Sequence, residues 1–232
     1  MIRRGLHLML YLAFALVSGC DSLPGKPNVS QRPLSPIQVK EFAPLYADNC
    51  AGCHGPNGSS GAATQLNNPV YLALVDDVSL QRVIARGVSG TSMPPFAISE
   101  GGSLADEQIA ILIKGMRQHW PRLQAMDSSM PTHAPRAAGD AQRGAQVYST
   151  FCGSCHGADG KGGTKAGSIV DIWYLSLTSD QSIRTLIISG RSDFPHPDWR
   201  EYVKGSPLSE GQVADLVAWV AAKRPEQSVT LK

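Results

Sequence analysis

The sequence is short of several things. Aromatic residues make up 6% of its 232 positions and charged residues 17%. Neither sign of charge dominates: 21 Lys and Arg face 19 Asp and Glu. Arg3 and Arg4 lie in a leader that the pattern below marks for removal, which leaves 21 − 2 = 19 against 19. So even a balance offers no electrostatic case for binding nucleic acid or an anionic membrane surface. Beyond the leader, no stretch approaches the roughly 20 apolar residues that a membrane span needs. No methionine follows Met130, and the cysteines number five: Cys20, Cys50, Cys53, Cys152 and Cys155. At 42% hydrophobic the chain is too apolar to be disordered. Its 23 glycines and 16 prolines imply short helices joined by long, shaped loops.

Met1-Ile2-Arg3-Arg4 is a short basic segment, and Leu6 to Val17 is almost wholly apolar. That run suits a secretory signal and is too short to span a bilayer comfortably. It ends in Val17-Ser18-Gly19-Cys20, which resembles a bacterial lipobox. The resemblance implies cleavage after residue 19 and lipid attachment at Cys20; the alternative is an ordinary signal beside an incidental cysteine. Asp21 resembles an inner-membrane retention signal. The expected product is held by lipid on the periplasmic side of the cell envelope, with residues 20–35 as a proline-containing tether.

The other four cysteines fall in Cys50-Ala51-Gly52-Cys53-His54 and Cys152-Gly153-Ser154-Cys155-His156. A lone C-x-x-C is compatible with a redox dithiol or half a zinc site. C-x-x-C-H is the attachment pattern of a c-type haem. Two thiols one helical turn apart reach the two vinyl groups of one porphyrin, and the adjacent histidine meets the iron as proximal ligand. Zinc would require four cysteines and two histidines from motifs about a hundred positions apart to converge on one ion. Two covalently bound haem c groups are the expected cofactors.

The motifs belong to an internal repeat. Asn49 to Gly58 matches Phe151 to Gly160; Tyr71-Leu72 matches Tyr174-Leu175, and Gly87 matches Gly190. Leu104 to Ile109 matches Leu208 to Val213. The copies run over 36–120 and 139–224, with a connector at 121–138 and a tail at 225–232. In each, a helix precedes the attachment site, a loop follows, and a short helix leads to a second loop. A last helix carries an apolar face at Ile109, Leu112, Ile113, Met116 and at Val213, Leu216, Val217, Val220.

The chain thus resembles two tandem class I cytochrome c domains, which implies an all-α fold, a small helical bundle around each covalent haem. In that family a glycine and an aromatic residue on the first helix meet a leucine and an aromatic residue on the last. The second copy conforms with Gly144, Tyr148, Leu216 and Trp219. The first has Tyr46 and Leu112, but Phe42 and Gly115 stand where glycine and the aromatic belong. Large and small partners have changed sides, so Phe42 is expected over Gly115 and Trp219 over Gly144.

The sixth ligands differ. Met93, in Gly87-Val-Ser-Gly-Thr-Ser-Met93-Pro94-Pro95, resembles the family's distal methionine, with Met116 as a core competitor. Six positions after Gly190, as Met93 is six after Gly87, stands His196, followed by Pro197. This predicts bis-histidine ligation of the second haem by His156 and His196; the alternative is a surface histidine beside a five-coordinate iron. Imidazole lacks the thioether's preference for reduced iron, so the second haem should have the lower potential. His7, His119 and His133 are read as signal, helix-end and connector residues. Tyr71, Trp173 and Tyr174 are read as haem-edge packing.

What these features imply is an electron carrier, not an enzyme. It would pass single electrons between a quinol-oxidising or dehydrogenase complex and an oxidase or soluble carrier. Two alternatives stand beside it: a peroxidase-like haem enzyme, should the second iron have an open position, or a dihaem subunit of a larger respiratory or dehydrogenase complex.

Overall fold

The computed structural model describes residues 32–121, 123 and 128–225, together with Gly25 and Asn28. The expected signal sequence, Cys20 and most of the tail lie outside the described residues. Two units are distinguished, Met1–Gln38 and Val39–Lys232. Within the first, Pro36–Gln38 form a 3-10 turn closed by the Ser35 amide donating to the Gln38 side chain at 3.0 Å.

The second unit is all-α and contains both repeats. Its helices are α1 (Phe42–Asn49), α2 (Ala51–His54), α3 (Pro69–Leu74), α4 (Asp77–Arg86) and α5 (Asp106–His119) in the first half. The second half has α6 (Ala141–Phe151), α7 (Gly153–His156), α8 (Ile172–Ser176), α9 (Asp180–Ser189) and α10 (Glu210–Ala221). Among the described residues the only β features are isolated bridges, Ala97 with Leu104 and Arg191 with His196. No described helix is long and apolar enough to cross a membrane.

Each half has two short helices where the sequence suggested one. Val75 turns extended, and Asp76 then caps α4 by accepting from the Ser79 amide at 2.6 Å. Ser179 does the same for α9 through Ser182. An N-cap side chain satisfies an otherwise orphaned amide, so it starts a new helix wherever it stands. One arginine per half then ties this pair to the last helix. Arg117 donates to the carbonyls of Leu72 and Val75 and pairs with Asp77; Arg224 donates to those of Leu175 and Thr178 and pairs with Asp180. A cation placed there satisfies the free carbonyls at a helix C-terminus and opposes the dipole.

The first and last helices cross as expected, with the large and small partners exchanged. A Cβ on Gly115 would stand 2.1 Å from the Phe42 ring. On Gly144 it would stand 2.1 Å from the Asp215 carbonyl oxygen and 2.7 Å from the Trp219 Cβ. Tyr148 and Trp219 stack at 4.0 Å between ring centroids. Gly115→Ala and Gly144→Ala should each destabilise by about 1–3 kcal/mol, the usual cost of overpacking. Their couplings should differ. A double-mutant cycle by denaturant unfolding should find Gly115→Ala much cheaper in a Phe42→Ala background, because the obstructing atoms have gone. Trp219→Ala should do little for Gly144→Ala, because the Asp215 carbonyl remains.

Segment 128–138 forms no helix or strand but is tied down. Arg184, 2% exposed, donates to the Thr132 and His133 carbonyls and pairs with Glu210 at 2.6 Å. Burial alone would raise the Glu210 carboxyl. The Thr132 and Arg136 amides and the Arg184 charge outweigh it and hold the group below the usual carboxylate range.

Candidate haem sites

Each attachment motif is a single helical turn appended to a longer helix. Cys50 closes α1 by donating its amide to the Tyr46 carbonyl at 2.9 Å, and the His54 amide then donates to the Cys50 carbonyl at 2.9 Å. Cys152 and His156 repeat both bonds at 2.9 and 3.0 Å. The turn brings the two cysteines of each motif to one side and hands the histidine to the next position. A tyrosine braces it from behind: Tyr46 donates to the Gly55 carbonyl at 2.8 Å and Tyr148 to that of Gly157 at 2.5 Å.

The four thiols are unpaired. Burial pushes Cys50 up to about 11 and Cys152 up to about 12, with Cys53 and Cys155 adding to the effect. Among the described residues no three His, Cys, Asp or Glu side chains are grouped to hold a bare metal ion.

Both attachment histidines are oriented by a backbone carbonyl. His54 Nδ1 lies 2.7 Å from the Thr64 oxygen, and His156 Nδ1 lies 2.8 Å from the Gly167 oxygen. With Nδ1 committed as donor, Nε2 is the nitrogen left for a metal, and the bond makes it a better electron donor. Burial holds His54 below the usual imidazole range; the Thr64 carbonyl opposes this and the Arg191 charge adds to it.

Met93 and His196 occupy the same place in equivalent loops. α4 ends at Gly87 (φ +67°) and α9 at Gly190 (φ +62°), both in the left-handed region that favours glycine. A Cβ on Gly87 would press on the Met93–Pro95 backbone at 2.5 Å, and one on Gly190 on the Pro197–Asp198 backbone at 2.5 Å. The same hydrogen bond closes each loop: the Val88 amide donates to the Met93 carbonyl and the Arg191 amide to the His196 carbonyl, both at 3.0 Å. Thr91 further accepts from the Met93 amide at 3.2 Å. Met93 is half-buried against the core, whereas Met116 is buried on α5 at 3% exposure and belongs to the packing.

In the second half these parts surround a mostly apolar cleft, lined by Cys152, His156, His196, Tyr174, Tyr202, Ile183 and Leu216 among others. The His156 and His196 ring centroids are 6.4 Å apart. Two metal–imidazole bonds of roughly 2 Å each, plus half a ring on either side, give about 6 Å, so one iron fits between them. His196 Nδ1 is buried without a hydrogen-bond partner. A buried nitrogen without a protein partner fits a site for a group that the protein itself does not supply. Burial, then His156 and Arg191, hold His196 below the usual imidazole range, against the opposing effect of the Pro197 backbone.

Tyr71 is buried in the first half and Tyr174 lines the second cleft. Trp173 does not join them: it is 74% exposed. It stands two residues from the buried Leu175 on α8, about 200° around the helix, so the two side chains take opposite faces. His119 ends α5 and stacks on Phe42 at 5.2 Å.

Residues 141–223 match the family model described as Cytochrome c, and residues 37–114 match that described as Cytochrome C oxidase, cbb3-type, subunit III. The cbb3-type cytochrome c oxidase subunit FixP of Sinorhizobium medicae (strain WSM419) is 29% identical over 161 residues, covering 65% of this chain and 50% of that protein. Subunit FixPc of Rhizobium leguminosarum bv. viciae is 30% identical over 167 residues, covering 67% and 53%. The chain therefore spans about half the length of the curated relatives it matches. Among solved structures, the Kuenenia stuttgartiensis reducing HAO-like protein complex Kustc0457/Kustc0458 is similar at a TM-score of 0.46 and 18% identity, over 84% of this chain and 100% of that one.

Proposed function

We propose that the chain is a dihaem c-type cytochrome that carries single electrons on the periplasmic face of the cell envelope, anchored by lipid at Cys20. Cys50 and Cys53 would hold one haem, with His54 and Met93 the side chains to bind its iron; Cys152 and Cys155 would hold the other, with His156 and His196. When bound, the haems supply reversible one-electron iron chemistry. The chain's own residues do the rest. Thr64 and Gly167 aim the proximal imidazoles, and the Val88–Met93 and Arg191–His196 bonds present the distal side chains. Ile183, Leu216 and Tyr202 keep water out of the second cleft. Because Met93 offers a thioether and His196 an imidazole, the first site has the higher potential.

The observation that carries this reading is the duplicated site: one attachment turn, one carbonyl-aimed histidine and one identically closed loop in each half. The relatives' description as oxidase subunits supports a terminal oxidase on the acceptor side, and a dihaem arm of such an assembly as the second reading. A quinol-oxidising or dehydrogenase complex stands on the donor side, and a soluble carrier is the alternative to the oxidase as acceptor. Intact-mass measurement and a spectroelectrochemical titration test the reading together. The purified chain should weigh two macrocycles more than its polypeptide and acyl groups, and should titrate at two separated potentials. A single macrocycle, or one potential for both sites, would overturn it.

A further inference from the structure

The halves are not beads on a string; both lie within one compact unit, and α3 of the first packs on α9 of the second. Where they meet, the loop that carries His196 is bonded to the loop that follows the first attachment motif. Arg191 donates to the Gly61 carbonyl at 2.9 Å and pairs with Asp193 at 2.7 Å. Asp193 in turn accepts from the Ser60 amide at 2.6 Å. The Gln65 side chain accepts from the Ser192 amide at 2.9 Å and donates to the Ser192 hydroxyl at 3.0 Å. Asn68 donates to the Ser189 carbonyl at 2.9 Å. Gln65 and Asn68 are buried, as is the Asp193 side chain. The Asn68–Ser189 bond is buried and the Gln65–Ser192 and Arg191–Gly61 bonds are partly buried, so breaking one of these leaves a polar group poorly hydrated, whereas the Ser60–Asp193 bond lies at the surface.

The first-half partners all lie between residues 60 and 68, the segment that includes Thr64, whose carbonyl aims His54. The corresponding distal loop of the first half has Val88, Ser89 and Gly90 where the second has Arg191, Ser192 and Asp193. Among the described residues that trio makes no hydrogen bond to the other half; Ser89 and Gly90 border an open groove shared with Ser176, Ser179 and Asp180. The second loop thus carries an Arg191–Asp193 pair that the first lacks, and each member of the pair also makes a hydrogen bond across the junction.

We infer that Gln65, Asn68, Arg191 and Asp193 form a latch by which the first domain holds the His196 loop in its ligating position, so that the sixth bond of the second haem depends on contact with the first domain. This rests on the bis-imidazole reading of the second site. Arg191 and Gln65 are positioning residues here, acting through the loop.

The test uses the full-length, doubly haem-loaded protein. Optical spectra and carbon monoxide stoichiometry are compared for the wild type, His196→Ala as reference, Gln65→Ala, and the double variant Arg191→Val/Asp193→Gly, which carries the first loop's residues. The wild type should bind no carbon monoxide, and His196→Ala one molecule per chain. The double variant should move most of the way to one per chain with a high-spin second haem, while the methionine signature of the first haem persists. Gln65→Ala alters only the first half, so carbon monoxide binding at the second haem, absent in the wild type, must be transmitted across the junction; it decides the matter should the double variant fail to retain haem. If both variants keep the wild-type spectrum and inertness while His196→Ala converts, the latch is overturned and the ligand assignment stands. If His196→Ala leaves the second haem unchanged, the ligand assignment falls and takes the latch with it.

Discussion

Replacing His196 by alanine should convert one of the two haems completely, from low-spin and inert to high-spin and open to carbon monoxide, at one molecule bound per chain. No other side chain is placed to take over. The second copy holds no methionine. Tyr202 lies against the His196 ring, with centroids 5.7 Å apart, but its hydroxyl is already committed to the Ile187 carbonyl at 3.1 Å. Burial, with Cys152 and Asp198 adding to it, holds that hydroxyl well above its ordinary value, so it stays a neutral phenol and a poor ligand. Paramagnetic resonance alongside the optical spectrum would separate the two haems. A variant that stays low-spin at both would show that His156 faces some other partner.

The second large effect is expected at the first site. Met93→His should lower the potential of the first haem by on the order of 0.1 V or more, a modest part of the roughly 0.8 V over which axial ligands move haem potentials. The backbone of the loop is held independently of this side chain, through the Val88–Met93 bond, Thr91 and the Gly87 turn. The exchange therefore changes the donor atom without moving its support. The two waves of a titration should draw together, because both irons would then lie between imidazoles. If the separation of potentials persisted, solvent exposure and local charge would be setting it in place of the distal atom.

Much of this was open to reading without coordinates, and the reason is locality. Cys50, Cys53 and His54 lie within one helical turn, so their spacing carries their geometry directly, and the second motif repeats it. His196 was reached by counting from Gly190 as Met93 counts from Gly87, which works because the glycine and the loop-closing bond are themselves repeated. The exchange of Phe42 and Gly115 was legible for the same reason: a helix crossing needs one large and one small residue, and the second copy supplied the template.

Other features had no local signal. Arg117 and Arg224 do the same work, but they stand at different distances from their attachment motifs, so no fixed offset pairs them. Trp173 belongs to a pattern that reads equally well inward or outward until α8 is docked. Gln65 and Ser192 are 127 positions apart, and neither residue type announces a partner.

The order of letters by itself determined the two C-x-x-C-H motifs, the candidates for ligands proposed above and the all-α character, since each depends on groups near one another in the chain. Only the folded molecule decided that the two halves form one body with the His196 loop bonded to the first domain. That depends on which surfaces meet, and hydrogen bonds between distant loops acquire direction only once packing has brought them together.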